Sequence, residues 1–170
     1  MKILFCLIII FAFGIAGYLY KERYVSRLKF ANYLLSFVDY YDSNLSLFKT
    51  NMIEIINVFI IMQKNKSEKY IKLFQKNGQV FEINEEILKN NLNNESVFYQ
   101  TKNYLDSIGK NEYDYEKEKN KNFKEYIKQQ IAIFEDEITK KGNVGFKIML
   151  AIGAVVVILI WWKYGCFYFV

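Results

Sequence analysis

The sequence predicts an all-α fold: a cytoplasmic antiparallel bundle of about six helices, set between two transmembrane helices. Three observations predict it. Two uncharged apolar runs occupy the ends of the 170-residue chain. Between them lies a charged region whose apolar residues recur at threes and fours, the helical period. No stretch alternates with period two for long enough to suggest a sheet. The mean hydropathy of −0.01 is then an average over two apolar spans and one polar domain.

Residues 1–20 form the first span. Ile3 to Tyr20 carries no charge, and eighteen helical residues cover roughly 27 Å, close to a hydrocarbon core. Residues 144–163 form the second, with Ile148 to Trp162 uncharged and Lys147 able to reach the interface. Tyr18, Tyr20, Trp161, Trp162 and Tyr164 stand at the ends of the runs, where a membrane interface favours aromatics. The first run also has features of a cleaved secretory signal: Lys2 ahead of it, and Gly14, Ala16 and Gly17 within it. Against that reading, the run is long and basic residues follow it at once. Cys6 lacks the small-residue context of a lipoprotein site. Gly14/Gly17 and Gly153/Ala154 are small residues that would let the two spans approach.

Lys21, Arg23, Arg27 and Lys29 follow the first span, and Lys140, Lys141 and Lys147 flank the start of the second. Both flanks place residues 21–143 in the cytoplasm. Residues 164–170 become a short external tail.

The central region is mixed in charge. Residues 21–147 hold 21 of the 23 Lys+Arg and all 18 acids, a net +3. That is a solvated surface rather than the basic stripe of a nucleic-acid interface. Leu28, Ala31, Leu35, Val38 and Leu45 predict a helix that leaves the membrane and runs to about residue 46. Met52, Ile55, Ile56 and Phe59 mark a second helix. Tyr70, Leu73 and Phe74 mark a third, ended by Asn77-Gly78. The short segment Gln79 to Ile83 reads as a connection. Asn84 caps a fourth helix with Glu85 and Glu86 in its first turn. Val97, Tyr104, Leu105 and Ile108 belong to a fifth, ended near Gly109. Phe123, Ile127, Ile131, Phe134 and Ile138 run along a long sixth.

Composition removes most catalytic chemistry. The chain has no His, no Pro and two Cys. Histidine acid–base pairs, His metal sites and four-thiolate zinc sites are excluded. Gly142-Asn143-Val144-Gly145 is not followed by Lys-Ser or Lys-Thr, so it is not a phosphate loop. Glu112, Asp114, Glu116 and Glu118 lack the glycine turn and closing Glu of a calcium loop. The acid pairs at Glu85/Glu86 and Glu135-Asp136-Glu137 read as caps and solvated charge. No catalytic residue, cofactor or metal site is expected.

In chain order come Gly17 near the end of the first span, then Arg27, then Asn44-Leu45-Ser46-Leu47 and Thr50-Asn51-Met52-Ile53-Glu54. Ser107-Ile108-Gly109-Lys110, Asp114, a long charged helix and Gly153 within the terminal span follow. This layout resembles stage III sporulation protein AB of endospore-forming bacteria. That family is similar to the F-type inner-membrane platform protein of type II secretion and type IV pilus machines. Thr50, Met52 and Glu54 fall where the family has Thr, Leu and Glu. Asn51 replaces its Pro, Asn44 its first Glu, Leu47 its aromatic and Glu116 its Gln.

The resemblance implies a non-enzymatic platform of a secretion-like channel complex required for endospore formation. Its partners would be a cytoplasmic secretion-type ATPase, stage III sporulation protein AA-like, other stage III sporulation channel proteins and membrane lipid. Its location would be the mother-cell side of the outer forespore membrane. Arg27, Thr50, Glu54, Gly109 and Asp114 are the candidate partner-interface or helix-start residues. Thr50, Glu54 and Gly109 also have local reasons to be present: Thr50 or Asn51 can cap the second helix, Asn51 to Glu54 has capping-box spacing, and Gly109 ends a helix. Two other readings fit the sequence. One is a platform subunit of a pilus or secretion machine outside sporulation, although such proteins repeat the helical domain and one copy is visible here. The other is a membrane-anchored extracytoplasmic binding domain with an N-terminal signal.

Overall fold

The fold comes from a computed structural model that describes residues 2–47, 52–64, 68–77, 80–92, 94–110 and 112–165. The chain is predominantly helical. In order, the elements are α1 (Lys2–Leu47), α2 (Met52–Gln63), α3 (Glu68–Ile71), β1 (Phe74–Asn77), β2 (Val80–Ile83), α4 (Glu85–Asn91), α5 (Glu95–Ser107) and α6 (Tyr113–Glu137), then a π-helical turn (Ile138–Gly142) and α7 (Asn143–Gly165). They form two compact units. One joins residues 1–26 to 133–170, and the other is residues 27–132.

The first unit is an antiparallel helix pair. The start of α1 and α7 are both long and apolar enough to cross a membrane. Small residues face the partner helix. A Cβ on Gly17 would stand 3.0 Å from Phe146 Cδ2 and 3.1 Å from Met149 Cβ. One on Gly153 would stand 2.9 Å from Phe13 Cβ. Gly145 accommodates the Tyr20 ring, and Gly14 lies opposite Leu150. Rising numbers on α1 meet falling numbers on α7, hence the antiparallel sense. Ala154 is exposed instead, so Gly153 alone of that pair serves the contact. Close backbone approach through small residues is how helices associate where water supplies no driving force. The outward residues are large and apolar, among them Phe11, Leu19, Ile158 and Trp162. The π-helical turn brings buried Gly142 against Lys21 and Tyr24.

The second unit buries large side chains and exposes charge. Phe30, Leu34, Phe37 and Tyr41 form the core stripe of α1, flanked by Ala31 and Val38. Leu28, Leu35 and Leu45, expected on that stripe, lie at its edge and are half-buried. Phe59 of α2 packs on Tyr33 and Phe37 of α1, and Ile55 and Ile56 of α2 and Leu88 of α4 are buried in the same unit. Rings interlock there. Phe37 sits 5.2 Å from Phe59 and 4.6 Å from Phe74, centroid to centroid. Val97, Phe98, Tyr104 and Leu105 of α5 and Phe123 and Ile127 of α6 complete the interior.

The expected third helix is shorter than its apolar spacing suggests. It ends at Ile71, and the chain turns into an antiparallel hairpin pairing Phe74 with Ile83 and Asn77 with Val80. The segment expected to be a connection is therefore strand β2. Strand geometry wins because it seats Phe74 on Phe37 while Gln75 and Glu82, paired on the opposite face, stay exposed. The Asn84 amide N–H donates to the Leu73 carbonyl at 2.9 Å and closes the hairpin base. The expected Asn84 cap is present: its Oδ1 accepts from the Glu86 and Ile87 amides at 3.1 and 3.2 Å. Asn94 caps α5 in the same way through the Ser96 amide.

Candidate functional site

α5 stops because Gly109 takes φ of 73°, a left-handed conformation that costs glycine nothing. The elbow between α5 and α6 is held from several sides. Ser107 Oγ donates to the Tyr104 carbonyl at 2.8 Å. Lys119 Nζ, on α6, donates to the Ser107 carbonyl at 2.9 Å. Lys119 also pairs with Glu116 at 2.9 Å and lies over the Tyr104 ring.

A polar cluster is buried behind this elbow. Glu116 is 2% exposed and Asn120 is fully buried. The Tyr104 hydroxyl donates to Asn120 Oδ1 at 2.8 Å, and its ring stacks on Phe123 at 3.7 Å. Tyr41 of α1 reaches the same place. Burial and the neighbouring Glu116 carboxylate raise its pKa, and a hydrogen-bonding contact with the Gly109 backbone lowers it somewhat. Tyr104 is pushed up by burial, then by Tyr41, Glu116 and Asp42. α1, the elbow and α6 therefore meet at one polar point inside an apolar core.

Outside this point the surface is charged. Lys124 of α6 binds Asp39 at 2.7 Å and Asp42 at 3.5 Å on α1. These two carboxylates raise its pKa, Asp39 more than Asp42. Asp42, Asp114, Lys117, Glu118, Lys121 and Lys124 line an open groove of about 380 Å³. Lys117, Lys121 and Lys124 are one turn apart along α6, so one helix face presents all three. Among the described residues, no group of carboxylates and thiols gathers that could hold a metal ion. The groove presents fixed charges of both signs.

Two of the five candidate residues from the sequence belong to this region. Asp114 lines the groove, and Gly109 makes the elbow and touches Tyr41. Arg27 is half-buried at the start of the second unit, and Glu54 is exposed in the first turn of α2. Neither lines the groove. Thr50, with its expected cap on the second helix, lies outside the described residues. Tyr41, Asp42, Glu116, Asn120 and Lys124 escaped sequence reasoning as members of one site. A partial signal existed: Glu116 and Asn120 extend the Phe123-Ile127-Ile131-Phe134 stripe backward at the same spacing.

Fold and site together define a predominantly helical protein with two helices long and apolar enough to cross a membrane, and with an open charged groove. No curated protein and no solved structure matches the chain. The chain belongs to the stage III sporulation protein AB family, whose sequence pattern matches residues 2–161.

Proposed function

We propose that this sporulation protein is a non-enzymatic, two-pass membrane platform of a secretion-like channel complex required for endospore formation. Residues 1–20 and 144–163 span the bilayer, residues 21–143 lie in the cytoplasm, and residues 164–170 are external. In the sporulating cell the central domain faces the mother-cell side of the outer forespore membrane. The observation that carries this reading is the outward face of the helix pair. Its large apolar side chains run continuously along both helices and have no water-compatible cover. The basic residues after α1's apolar run and before that of α7 support the orientation.

The docked partner is a cytoplasmic secretion-type ATPase, stage III sporulation protein AA-like, and the groove around Asp42, Asp114, Lys117 and Lys121 is its docking surface. Paired charges of both signs favour a specific protein partner over a generic polyanion. Other stage III channel proteins meet the membrane spans.

Topology is tested with the full chain in intact cells, with Cys6 and Cys166 replaced by Ser and Tyr99→Cys introduced. Tyr99 is 57% exposed on α5. A membrane-impermeant thiol reagent should fail to label it until the membrane is opened. Labelling in intact cells sinks the cytoplasmic orientation and favours an extracytoplasmic binding domain. For the partner, Lys117→Glu with Lys121→Glu should abolish ATPase co-purification while leaving the protein membrane-bound. Undiminished co-purification sinks the groove assignment.

A further inference from the structure

α2 is strongly apolar, with Glu54, Asn57 and Gln63 as its polar residues, more apolar than one buried face accounts for. The core covers Ile55, Ile56 and Phe59. Val58, Ile61 and Met62 remain outside, with Ile61 71% and Met62 60% exposed. Ile61 is the most exposed large apolar residue among the described residues of its unit.

The chain immediately after α2 is the most basic part of the central region. Residues 64–76 hold Lys64, Lys66, Lys69, Lys72 and Lys76 against the single Glu68, a local net of +4. The whole of residues 21–147 carries only +3, so the rest of that region is slightly acidic. Lys64, Lys69 and Lys72 are exposed. The Lys64 amide donates to the Ile61 carbonyl at 3.4 Å, which places that lysine one turn beyond the isoleucine.

This basic and apolar corner has a defined place in its unit. Phe59 packs on Tyr33 and Phe37, and Tyr70 packs on Phe30 and Tyr33. The corner therefore lies against the part of α1 that follows the apolar run most closely in the chain.

We propose that Val58, Ile61 and Met62, with Lys64, Lys69 and Lys72, form a lipid-binding surface that rests on the anionic headgroups of the membrane anchoring the chain. The apolar side chains enter the headgroup boundary, and the lysines attract anionic lipid. A second copy of the chain is disfavoured as the occupant, because it would bring a +4 segment against another. The proposal rests on the two-pass, cytoplasmic reading given above.

The full chain, with Cys6 and Cys166 replaced by Ser, is reconstituted in phosphatidylcholine vesicles with or without phosphatidylglycerol. A fluorophore is attached separately at Ile61→Cys, at Tyr99→Cys as a surface control and at Leu159→Cys as a span control. Lipids with a nitroxide near the headgroup should quench the label at position 61 when phosphatidylglycerol is present, and far less without it. Each of Lys64→Gln, Lys69→Gln and Lys72→Gln should lower the contact equilibrium roughly fivefold. If position 61 is quenched no more than position 99 in anionic vesicles, while position 159 is quenched by deep nitroxides, the lipid surface is wrong and the two-pass reading stands. If position 159 escapes quenching, the two-pass reading falls and the proposal with it. Quenching that survives all three lysine replacements, or protection of position 61 by added ATPase rather than by lipid, also overturns it.

Discussion

The helix pair and the charged unit are built on opposite plans. In the pair, glycine is inside and Phe, Leu and Trp are outside: Gly17 and Gly153 meet the partner helix while Phe11 and Trp162 face away. In the charged unit the interior is Phe30, Phe37, Phe59 and Ile127, and the surface is Lys, Asp and Glu. A hydrophobic core gains from large side chains only where water is the alternative. Where the surroundings are themselves apolar, close backbone contact is what remains to be gained. The inversion is what the proposed two-pass reading requires of one chain in two solvents.

The comparison can be broken most widely by alkaline pH, which acts on several core groups of the charged unit at once. Burial holds Tyr33, Tyr41 and Tyr104 above the ordinary tyrosine value near 10. A group whose folded pKa is raised contributes stability that is complete below the unfolded value and lost as pH rises through the folded one. The charged unit should therefore keep full stability up to about pH 10 and lose it above. Amide exchange should rise there across residues 27–132, while exchange in the apolar helices stays slow. Equal loss in both regions would show that they do not differ in this respect.

Among single substitutions, Phe37→Ala should have the largest effect. Its side chain is fully buried between Tyr41, Phe59 and Phe74. The expected cost is about 3–5 kcal/mol, read from denaturant unfolding of the reconstituted protein and confined to the charged unit. Glu116→Ala should follow at about 2–3 kcal/mol, because it leaves the Lys119 ammonium with the Ser107 carbonyl alone of its two oxygen partners. Glu116→Gln should cost less, since an amide oxygen can still accept from Lys119. Equal effects of the two would show that charge plays no part.

In the helix pair the sensitive change is addition rather than removal. Gly17→Leu forces side-chain atoms into Phe146 and Met149, including the Phe146 backbone. Overpacking of this kind costs about 1–3 kcal/mol, read as weaker energy transfer between dyes on the two helices. Phe11→Ala on the outward face should change it far less. The smallest effect is expected at Gly109→Ala, about 1–2 kcal/mol for a left-handed alanine. It should also loosen Tyr41, visible as a shift in its ring resonances.

Much of this was legible in the sequence, and the exceptions have physical reasons. The Asn84 cap was readable because an N-cap is a local event. Ile127 and Phe134 were readable as core because α6 has one apolar stripe. On α1 the apolar residues cover more than one face, so periodicity alone fixed no phase. Ala31 and Val38 fell correctly, but Leu28, Leu35 and Leu45 gave way to Leu34, Phe37 and Tyr41. The hairpin was hidden for a related reason. Asn77-Gly78 suits a helix end as well as a turn, and Phe74 follows Tyr70 at helical spacing. Only the aromatic surface of Phe37 chooses between them. Of the groove, Asp114 was singled out beforehand, whereas Asp42, Lys117 and Lys124 look like ordinary surface charge until α1 lies beside α6.

The sequence by itself determined the apolar ends, the helical middle, the family and the absence of histidine chemistry. These are properties of composition and of short windows, where each residue acts through its neighbours in the chain. Tertiary structure decided which glycines line the helix contact and that residues 80–83 pair with 74–77. It also brought Tyr41, Tyr104, Glu116 and Asn120 together from three helices. Such meetings depend on the rotation of each helix about its axis, and that is set by packing between residues distant in sequence.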